Sequence, residues 1–289
     1  MKELISLVDK KLDEYMPVIY PEDIFKAMKY TLMLPGKRLR PIMCLETARM
    51  LGCDIEKAMP VACAIEMLHC QSLIHDDLPC MDNDDFRRGK PSNHKVFGEA
   101  NAVLAGDALL TFAPQLIIEK SKDLPPETVL KLVHEFTKWG GAYALIAGQV
   151  VDIESEGGKY VKSPEETLDF IHMNKTAALF RLSIRSGAIV AGAGENELKQ
   201  LDKFASKFGL VFQIYDDIMD EISSFEELGK TVGKDKNSGK LTYVSLYGLD
   251  EAKNKFHSLI QECYDIIEKY NSRIFTEILD KLRDRILGV

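Results

Sequence analysis

Phe212-Gln213-Ile214-Tyr215-Asp216-Asp217-Ile218-Met219-Asp220 passes from apolar into acidic residues without a break. Gln213, Asp216, Asp217 and Asp220 fall at i, i+3, i+4 and i+7, so a helix places four polar groups on one stripe of an otherwise apolar surface. Such a stripe needs a partner. A second run of the same kind, Ser72-Leu73-Ile74-His75-Asp76-Asp77-Leu78-Pro79-Cys80-Met81-Asp82, lies nearer the amino terminus. Carboxylates this crowded repel one another unless a cation lies between them. Solvated surface acids usually come mixed with Lys or Glu, whereas these follow apolar turns of core character. Both clusters therefore read as ligands for hard divalent cations. Mg²⁺ takes a few carboxylates, several waters and phosphate oxygens in preference to an all-protein cage. Two acidic edges facing each other across a cavity would hold several such ions around one polyphosphate.

Working outward from the first cluster, His69 precedes Asp76 by close to two helical turns and projects from the same side about 10 Å lower. Pro79 has no amide donor and discourages helix in the residue before it, so the helix should end near Asp77 and a turn should bring Asp82 back toward the pair. Through most of the remaining chain apolar residues recur at three- and four-residue spacing, and period-two alternation of β-branched residues is scarce. Breaks fall at Leu34-Pro35-Gly36, Leu51-Gly52-Cys53-Asp54, Arg88-Gly89-Lys90-Pro91, Leu124-Pro125-Pro126, Gly157-Gly158, Gly192-Ala193-Gly194 and Gly229 to Gly239. Ser163-Pro164-Glu165-Glu166 is a helix start, with a capping serine, proline in the first turn and two acids at the positive end. No break is long enough for a linker, and there is no tandem repeat. The expectation is an all-α fold, one domain over 1–289, built as a bundle of roughly ten or more helices around a central cavity.

Composition bounds the function. The 289 residues are 46% hydrophobic and 28% charged, ordinary for a globular protein. A formal charge of −8 argues against a nucleic-acid partner or stable membrane association, so any phosphate chemistry must use local cations. Cys44, Cys53, Cys63, Cys70, Cys80 and Cys263 form no C-x-x-C pair in a chain too long for a stapled secreted scaffold, which points to a reducing cytoplasm. The first sixteen residues intersperse charges among apolar side chains and lack the core of a signal peptide. No uncharged apolar run of about 18 residues is present, so no membrane span is expected.

The local cations are there. Gly36-Lys37-Arg38-Leu39-Arg40-Pro41 sits beside a turn, Arg87-Arg88-Gly89-Lys90 follows the first acidic cluster, and Lys230 to Lys240 follows the second. Arginine forks bind phosphate oxygens in pairs, lysine supplies a flexible point charge, and glycine lets a loop close over an anion. Together with the metals they imply more than one phosphate group to hold.

The ordered set of these motifs, joined by His69, Lys175-Thr176, Gly209-x-x-Phe212-Gln213-x-x-Asp216-Asp217-x-x-Asp220 and Gly229-Lys230, resembles the trans-isoprenyl diphosphate synthases, the farnesyl and geranylgeranyl diphosphate synthase family. The resemblance spans most of the chain and implies the isoprenoid synthase fold. It implies that Asp76, Asp82 and Asp216 bind Mg²⁺ directly, and that Asp77, Asp217 and Asp220 do so directly or through water. It implies an isopentenyl diphosphate site at Lys37, Arg40, His69 and Arg88. It further implies an allylic diphosphate site at Arg87, Lys175, Thr176, Gln213, Lys230 and Lys240, with Gln149 and Asp152 as further polar residues of the cavity wall. About three Mg²⁺ ions per site, with Mn²⁺ as a substitute, would stabilise a departing pyrophosphate as its charge develops. The implied partners are the two small-molecule diphosphates and a second copy of the chain in a homodimer. In short-chain relatives the fifth residue before the first aspartate is often aromatic and blocks elongation at fifteen carbons; here it is Gln71, followed by Ser72. The Pro79-Cys80 insertion resembles the bacterial farnesyl type, so the expectation leans to C15 with C20 as the alternative.

Each of these residues also has a blander reading. Asp76-Asp77 alone could be a helix-end acid pair, Arg87-Arg88 a solvated turn, and His69 a satisfied core histidine. His75-Asp76 is similar to the pair of metal phosphohydrolases, but the six histidines are too scattered to complete that site. A class I terpene cyclase shares the first acidic motif and has no use for an isopentenyl site, which Lys37, Arg40 and Arg88 would furnish. A non-catalytic partner subunit tends to lose one aspartate motif, and this chain has both.

Overall fold

The computed structural model describes residues 1–156, 158, 160–222 and 240–288. Helix dominates, as the apolar spacing requires. The described chain falls into two compact units, one of 1–136 with 186–192 and one of 137–185 with 193–289.

The first unit contains α1 (Lys2–Tyr15), α2 (Glu22–Leu32), α3 (Leu39–Met50), α4 (Ile55–Asp76), α5 (Asn93–Phe97) and α6 (Glu99–Lys120). Its centre is α4. Asp54 caps that helix by accepting from the Glu56 amide at 3.0 Å, satisfying one of the amides that a helix start leaves unpaired. From Ala58 to Leu68 every α4 residue is buried, and the helix packs against α3 and α6. Met59, Ile65, Met67 and Leu68 lie fully inside, each contributing about 1.5–3 kcal/mol of apolar burial. Truncating Leu68 to alanine would cost about 2–5 kcal/mol.

Helix α6 is long and apolar enough, by length and composition, to cross a membrane. Asp107 interrupts its apolar run. In the structure it is a core helix of this unit, packed on α4, α2 and α5, with Ala102, Ala105, Leu109, Ala113, Leu116 and Ile117 inside.

A feature that the period-two search missed is a ribbon of two short strands, β1 (Phe86–Arg87) and β2 (Lys90–Pro91), paired antiparallel with Arg87 opposite Lys90. Arg88 (φ 53°) and Gly89 (φ 74°) form its two-residue turn. Both central residues must have positive φ for such a turn to match strand twist, which glycine does freely and arginine only under constraint.

The second unit holds α8 (Leu145–Ser155), α9 (Pro164–Ile171), a π-helical turn (His172–Thr176), α11 (Glu195–Ile222), α12 (Tyr243–Tyr247), α13 (Leu249–Ile267) and α14 (Arg273–Leu287). Two unit boundaries fall inside α7 (Pro126–Gly140) and α10 (Ala177–Val190). The predicted helix start at Ser163 is a full capping box: its hydroxyl accepts from the Glu166 amide while Glu166 accepts from the Ser163 amide. Phe180, Phe204, Phe208 and Phe275 build the aromatic core, with edge-on ring pairs at 5.0 Å (Phe180 and Phe208) and 5.2 Å (Phe204 and Phe275). The π turn lies hard against α8. A Cβ on Gly148 would sit 2.3 Å from the Lys175 amide nitrogen, so only glycine permits this approach.

Candidate active site

In the first unit α4 ends at Asp76, and Asp77 is its C-cap, as Pro79 dictates. The returning turn is present: the Asp82 amide donates to the Asp76 carbonyl at 2.8 Å, and the Asn83 amide to the Leu78 carbonyl at 3.1 Å. Asp76 and Asp82 are thereby brought together, both half-buried. Asp77 takes a different direction. It is 1% exposed and gripped by Arg87, whose Nε donates to Oδ1 at 3.0 Å and whose Nη2 donates to the same oxygen. Burial pushes the Asp77 carboxyl above its ordinary value, and the Arg87 guanidinium opposes that rise. The pair expected to supply two metal ligands thus supplies one open carboxylate and one that orients an arginine.

The neighbouring Arg88, turned by the ribbon, goes elsewhere. Its Nη1 donates to the Leu34 carbonyl at 3.3 Å, and the guanidinium lies over Gly36, where a Cβ would come within 2.8 Å of Nη1. Lys37, beside it, is exposed. Arg40 Nη1 donates to His69 Nε2 at 3.3 Å, which makes Nε2 the acceptor and leaves the ring proton on Nδ1. Burial, with Arg40, Arg88, Arg87 and Arg38 around it, pushes the His69 imidazolium well below its ordinary value, so the ring is neutral. Arg40, His69 and Arg88 therefore lie near one another in the first unit, with Lys37 exposed next to Gly36, and cations are in excess. Such a patch suits a multiply charged anion.

Gln71 and Ser72 are already engaged. Gln71 Nε2 meets His75 Nδ1 at 3.1 Å, and Ser72 Oγ donates to the His69 carbonyl at 2.9 Å. His75 in turn reaches the Val103 carbonyl on α6 at 3.1 Å.

In the second unit the stripe on α11 divides. Asp216 is exposed, whereas Asp217 and Asp220 are buried. Asp217 accepts from Gln213 Nε2 at 2.9 Å and from the Tyr243 amide at 2.7 Å, with His172 Nε2 at 3.7 Å. Gln213 is fixed from behind, because Thr176 Oγ1 donates to its Oε1 at 2.6 Å. Lys175 donates to Asp152 Oδ2, and Lys240 lies 3.5 Å from the same oxygen. Burial raises the Asp152 carboxyl, but the two lysines outweigh it and hold the group below its ordinary value. The π turn thus presents Lys175 toward α8 and Thr176 toward α11, a junction that such turns often mark at functional sites. Lys175, Thr176, Gln213, Asp217, Asp152 and Lys240 are brought together in this unit. Gln149 Nε2 and His172 Nδ1 are buried without a hydrogen-bond partner among the described residues. Lys230 and the whole of the Gly229 to Gly239 loop lie outside the described residues.

Among the described residues no three His, Cys, Asp or Glu side chains converge into a ready-made metal cage. The least buried donors are hard oxygens, Asp76 and Asp82 in the first unit and Asp216 in the second. That fits a cation arriving with its own waters and with phosphate oxygens of a ligand, as Mg²⁺ does, and does not fit structural zinc.

Sequence reasoning missed Arg38, Glu66 and His172. Arg38 is 2% exposed, with Nη1 on Glu66 Oε1 at 2.8 Å and Nε on Asp9 Oδ1 at 2.7 Å. The signal was available: Glu66 is a lone acid within Cys63-Ala64-Ile65-Glu66-Met67-Leu68, and a charge inside an apolar helix must have a partner.

A family model described as polyprenyl synthetase matches residues 21–282. The large subunit 1 of the heterodimeric geranylgeranyl pyrophosphate synthase of Arabidopsis thaliana, a chloroplastic protein, is 50% identical over 269 residues, which are 92% of this chain and 72% of that protein. The chloroplastic geranylgeranyl pyrophosphate synthase of Capsicum annuum is 48% identical over 266 residues, with the same shares of 92% and 72%. Among solved structures, the geranyltransferase from Helicobacter pylori complexed with magnesium and isoprenyl diphosphate matches with a TM-score of 0.85 and 31% identity, covering 99% of this chain and 95% of that one.

Proposed function

The chain belongs to the polyprenyl synthetase family, and from that premise we propose that it is a trans-prenyltransferase joining isopentenyl diphosphate to an allylic diphosphate with release of pyrophosphate. The observation that carries this reading is the arrangement in the first unit: the open carboxylates Asp76 and Asp82 joined by a turn, next to Arg87 and Arg88 that the ribbon sends to separate stations. Asp76, Asp82 and Asp216 would hold Mg²⁺, with Asp77, Asp217 and Asp220 as supporting carboxylates. When bound, the metal supplies positive charge to the departing diphosphate.

Arg87, Lys175, Lys240 and Lys230 bind that diphosphate, and Thr176 and Gln213 orient its neighbours. The C–O bond at the allylic carbon breaks and the electron pair leaves with pyrophosphate. Lys37, Arg40, His69 and Arg88 hold isopentenyl diphosphate so that its double bond attacks the allylic cation. A proton then passes to pyrophosphate and a double bond forms in a product five carbons longer. The cation must be kept from water, which calls for apolar walls below the aspartates.

The C15 product favoured from Pro79-Cys80 gives way here to C20, because the residue five before Asp76 is the unbulky polar Gln71 and the two plant relatives are geranylgeranyl pyrophosphate synthases by name. We further propose a homodimer formed through α6, on which Leu104, Thr111 and Ile118 are exposed at seven-residue spacing. Size-exclusion chromatography tests it, and a monomer at micromolar concentration refutes it. The six unpaired cysteines support a reducing, cytoplasmic setting. A single domain over 1–289 is supported by a family model that runs through both units.

The activity is tested by incubating the protein with Mg²⁺, isopentenyl diphosphate and geranyl diphosphate while following pyrophosphate. Release only when both diphosphates are present is expected. Release from the allylic diphosphate alone would make the protein a cyclase, and no release would make it a partner subunit. Chromatographic sizing of the product decides C20 against C15.

A further inference from the structure

We propose that Glu66 is a positioning residue for isopentenyl diphosphate, an inference that rests on the assignment of Lys37, Arg40, His69 and Arg88 to that substrate. Glu66 is on α4 and 1% exposed. Its Oε1 accepts from Arg38 Nη1 at 2.8 Å and lies 3.8 Å from Arg88 Nη2. The same two arginines also meet at one backbone oxygen. Arg38 Nη2 donates to the Leu34 carbonyl at 3.0 Å and to the Leu32 carbonyl at 2.8 Å, while Arg88 Nη1 donates to the Leu34 carbonyl at 3.3 Å. Glu66, Arg38, the Leu34 carbonyl and Arg88 therefore form a closed ring.

The ring explains three local oddities at once. Arg38 adopts φ 46°, a conformation unfavourable for arginine, because its guanidinium is drawn inward to a buried carboxylate. Pro35 and Gly36 lead directly from the shared carbonyl to Lys37, so fixing Leu34 fixes the point from which Lys37 leaves. Gly36 has no side chain because the Arg88 guanidinium occupies that space.

The charge distribution separates the roles of the two arginines. Arg38 is neutralised at both ends, by Glu66 and by Asp9, and is structural. Arg88 meets Glu66 only at 3.8 Å, beyond hydrogen-bond range. Its tether is electrostatic and loose. Arg88 is held at the rim by Glu66 yet keeps donors for a diphosphate, and Arg40 and His69 stand beside it on the same helix pair, α3 and α4.

The test is Glu66→Gln, which keeps an acceptor oxygen and removes the charge. Isothermal titration with isopentenyl diphosphate and steady-state kinetics with each substrate varied in turn are the readouts. The expected result is a rise of about tenfold in Kd and KM for isopentenyl diphosphate, with kcat and the allylic KM within about twofold of wild type. In an Arg88→Gln background the same substitution should add no more than about threefold. A folded Glu66→Gln protein with unchanged isopentenyl diphosphate affinity overturns the proposal, as does a parallel loss for both substrates. If Glu66→Gln does not fold, Asp9→Asn loosens the same clamp from its 39% exposed end and should raise that KM about threefold; an unchanged KM again overturns it. Wild type that binds isopentenyl diphosphate without turnover refutes the synthase assignment and leaves the Glu66 titration decisive. Wild type that does not bind it refutes both.

Discussion

The two acidic clusters share a division of labour and differ in how they enforce it. In each, the first aspartate of the pair is the more open and the second is buried: Asp76 against Asp77, and Asp216 against Asp217. The buried member of the first cluster is held by a cation, Arg87. That of the second is held by a side-chain amide and a backbone amide, from Gln213 and Tyr243, with the His172 ring behind. The first arrangement positions an arginine and neutralises a carboxylate together. The second positions a carboxylate with neutral donors, and the cations Lys175 and Lys240 meet Asp152.

The largest effect should come from removing the open members. Asp76→Ala and Asp216→Ala are each expected to lower kcat/KM about 10³-fold in a coupled pyrophosphate assay while leaving the melting temperature near wild type. A fall in melting temperature matching that of the buried-member variants would erase the distinction.

Next come the buried members. Asp77→Asn leaves the Arg87 guanidinium with only Asp84, at 3.3 Å, as counter-charge and should cost about 2–3 kcal/mol in urea unfolding. Asp217→Asn, whose side-chain oxygen can still accept from Gln213 or Tyr243, should cost about 1 kcal/mol in the same measurement. Equal losses would mean that Arg87 and the amide donors are interchangeable.

Acid should separate the units a third way. His172 is held neutral by burial, with its pKa lowered to about 4 in the folded protein. The unfolded chain takes up that proton near pH 6.5, so between the two values the unfolded state binds more protons and stability falls as pH falls. From pH 7 to pH 5 the loss attributable to His172 should be about 2 kcal/mol, read as the difference between wild type and His172→Gln in urea melts with chelator present. Parallel pH profiles for the two proteins would remove His172 from the account.

The smallest effect on rate, and a qualitative one on product, belongs to the turns leading into each cluster. Gln71 and Ser72 precede Asp76 where Val211 and Phe212 precede Asp216, polar residues against apolar ones. Gln71→Tyr replaces the hydrogen bond to His75 with an aromatic ring and should shift product from C20 to C15 with kcat within about threefold, checked by chromatography. Unchanged chain length would move the floor of the cavity elsewhere.

Much of this was readable from spacing. The helical character, the Ser163 start, the end of α4 and the return of Asp82 follow from apolar periodicity, a capping serine and a proline. The division within each aspartate pair was not, because a stripe at i and i+4 specifies a face without saying which of two adjacent acids turns inward. The Phe86 to Pro91 ribbon has strands too short to show alternation. The π turn at His172–Thr176 inserts its extra residue without any residue type that demands one. Arg38 reads as one more member of a basic run until Glu66 is seen to face it.

The ribbon also acts as an index. Arg87 and Arg88 are adjacent in sequence yet serve Asp77 and the Leu34 carbonyl because one closes a strand and the other opens its turn. Deleting a single residue between Asp82 and Arg87 would slide the register by one and draw both guanidinium groups off their present partners. The chemistry of the site then depends on the length of a four-residue connection, Asn83 to Phe86, as much as on any residue within it.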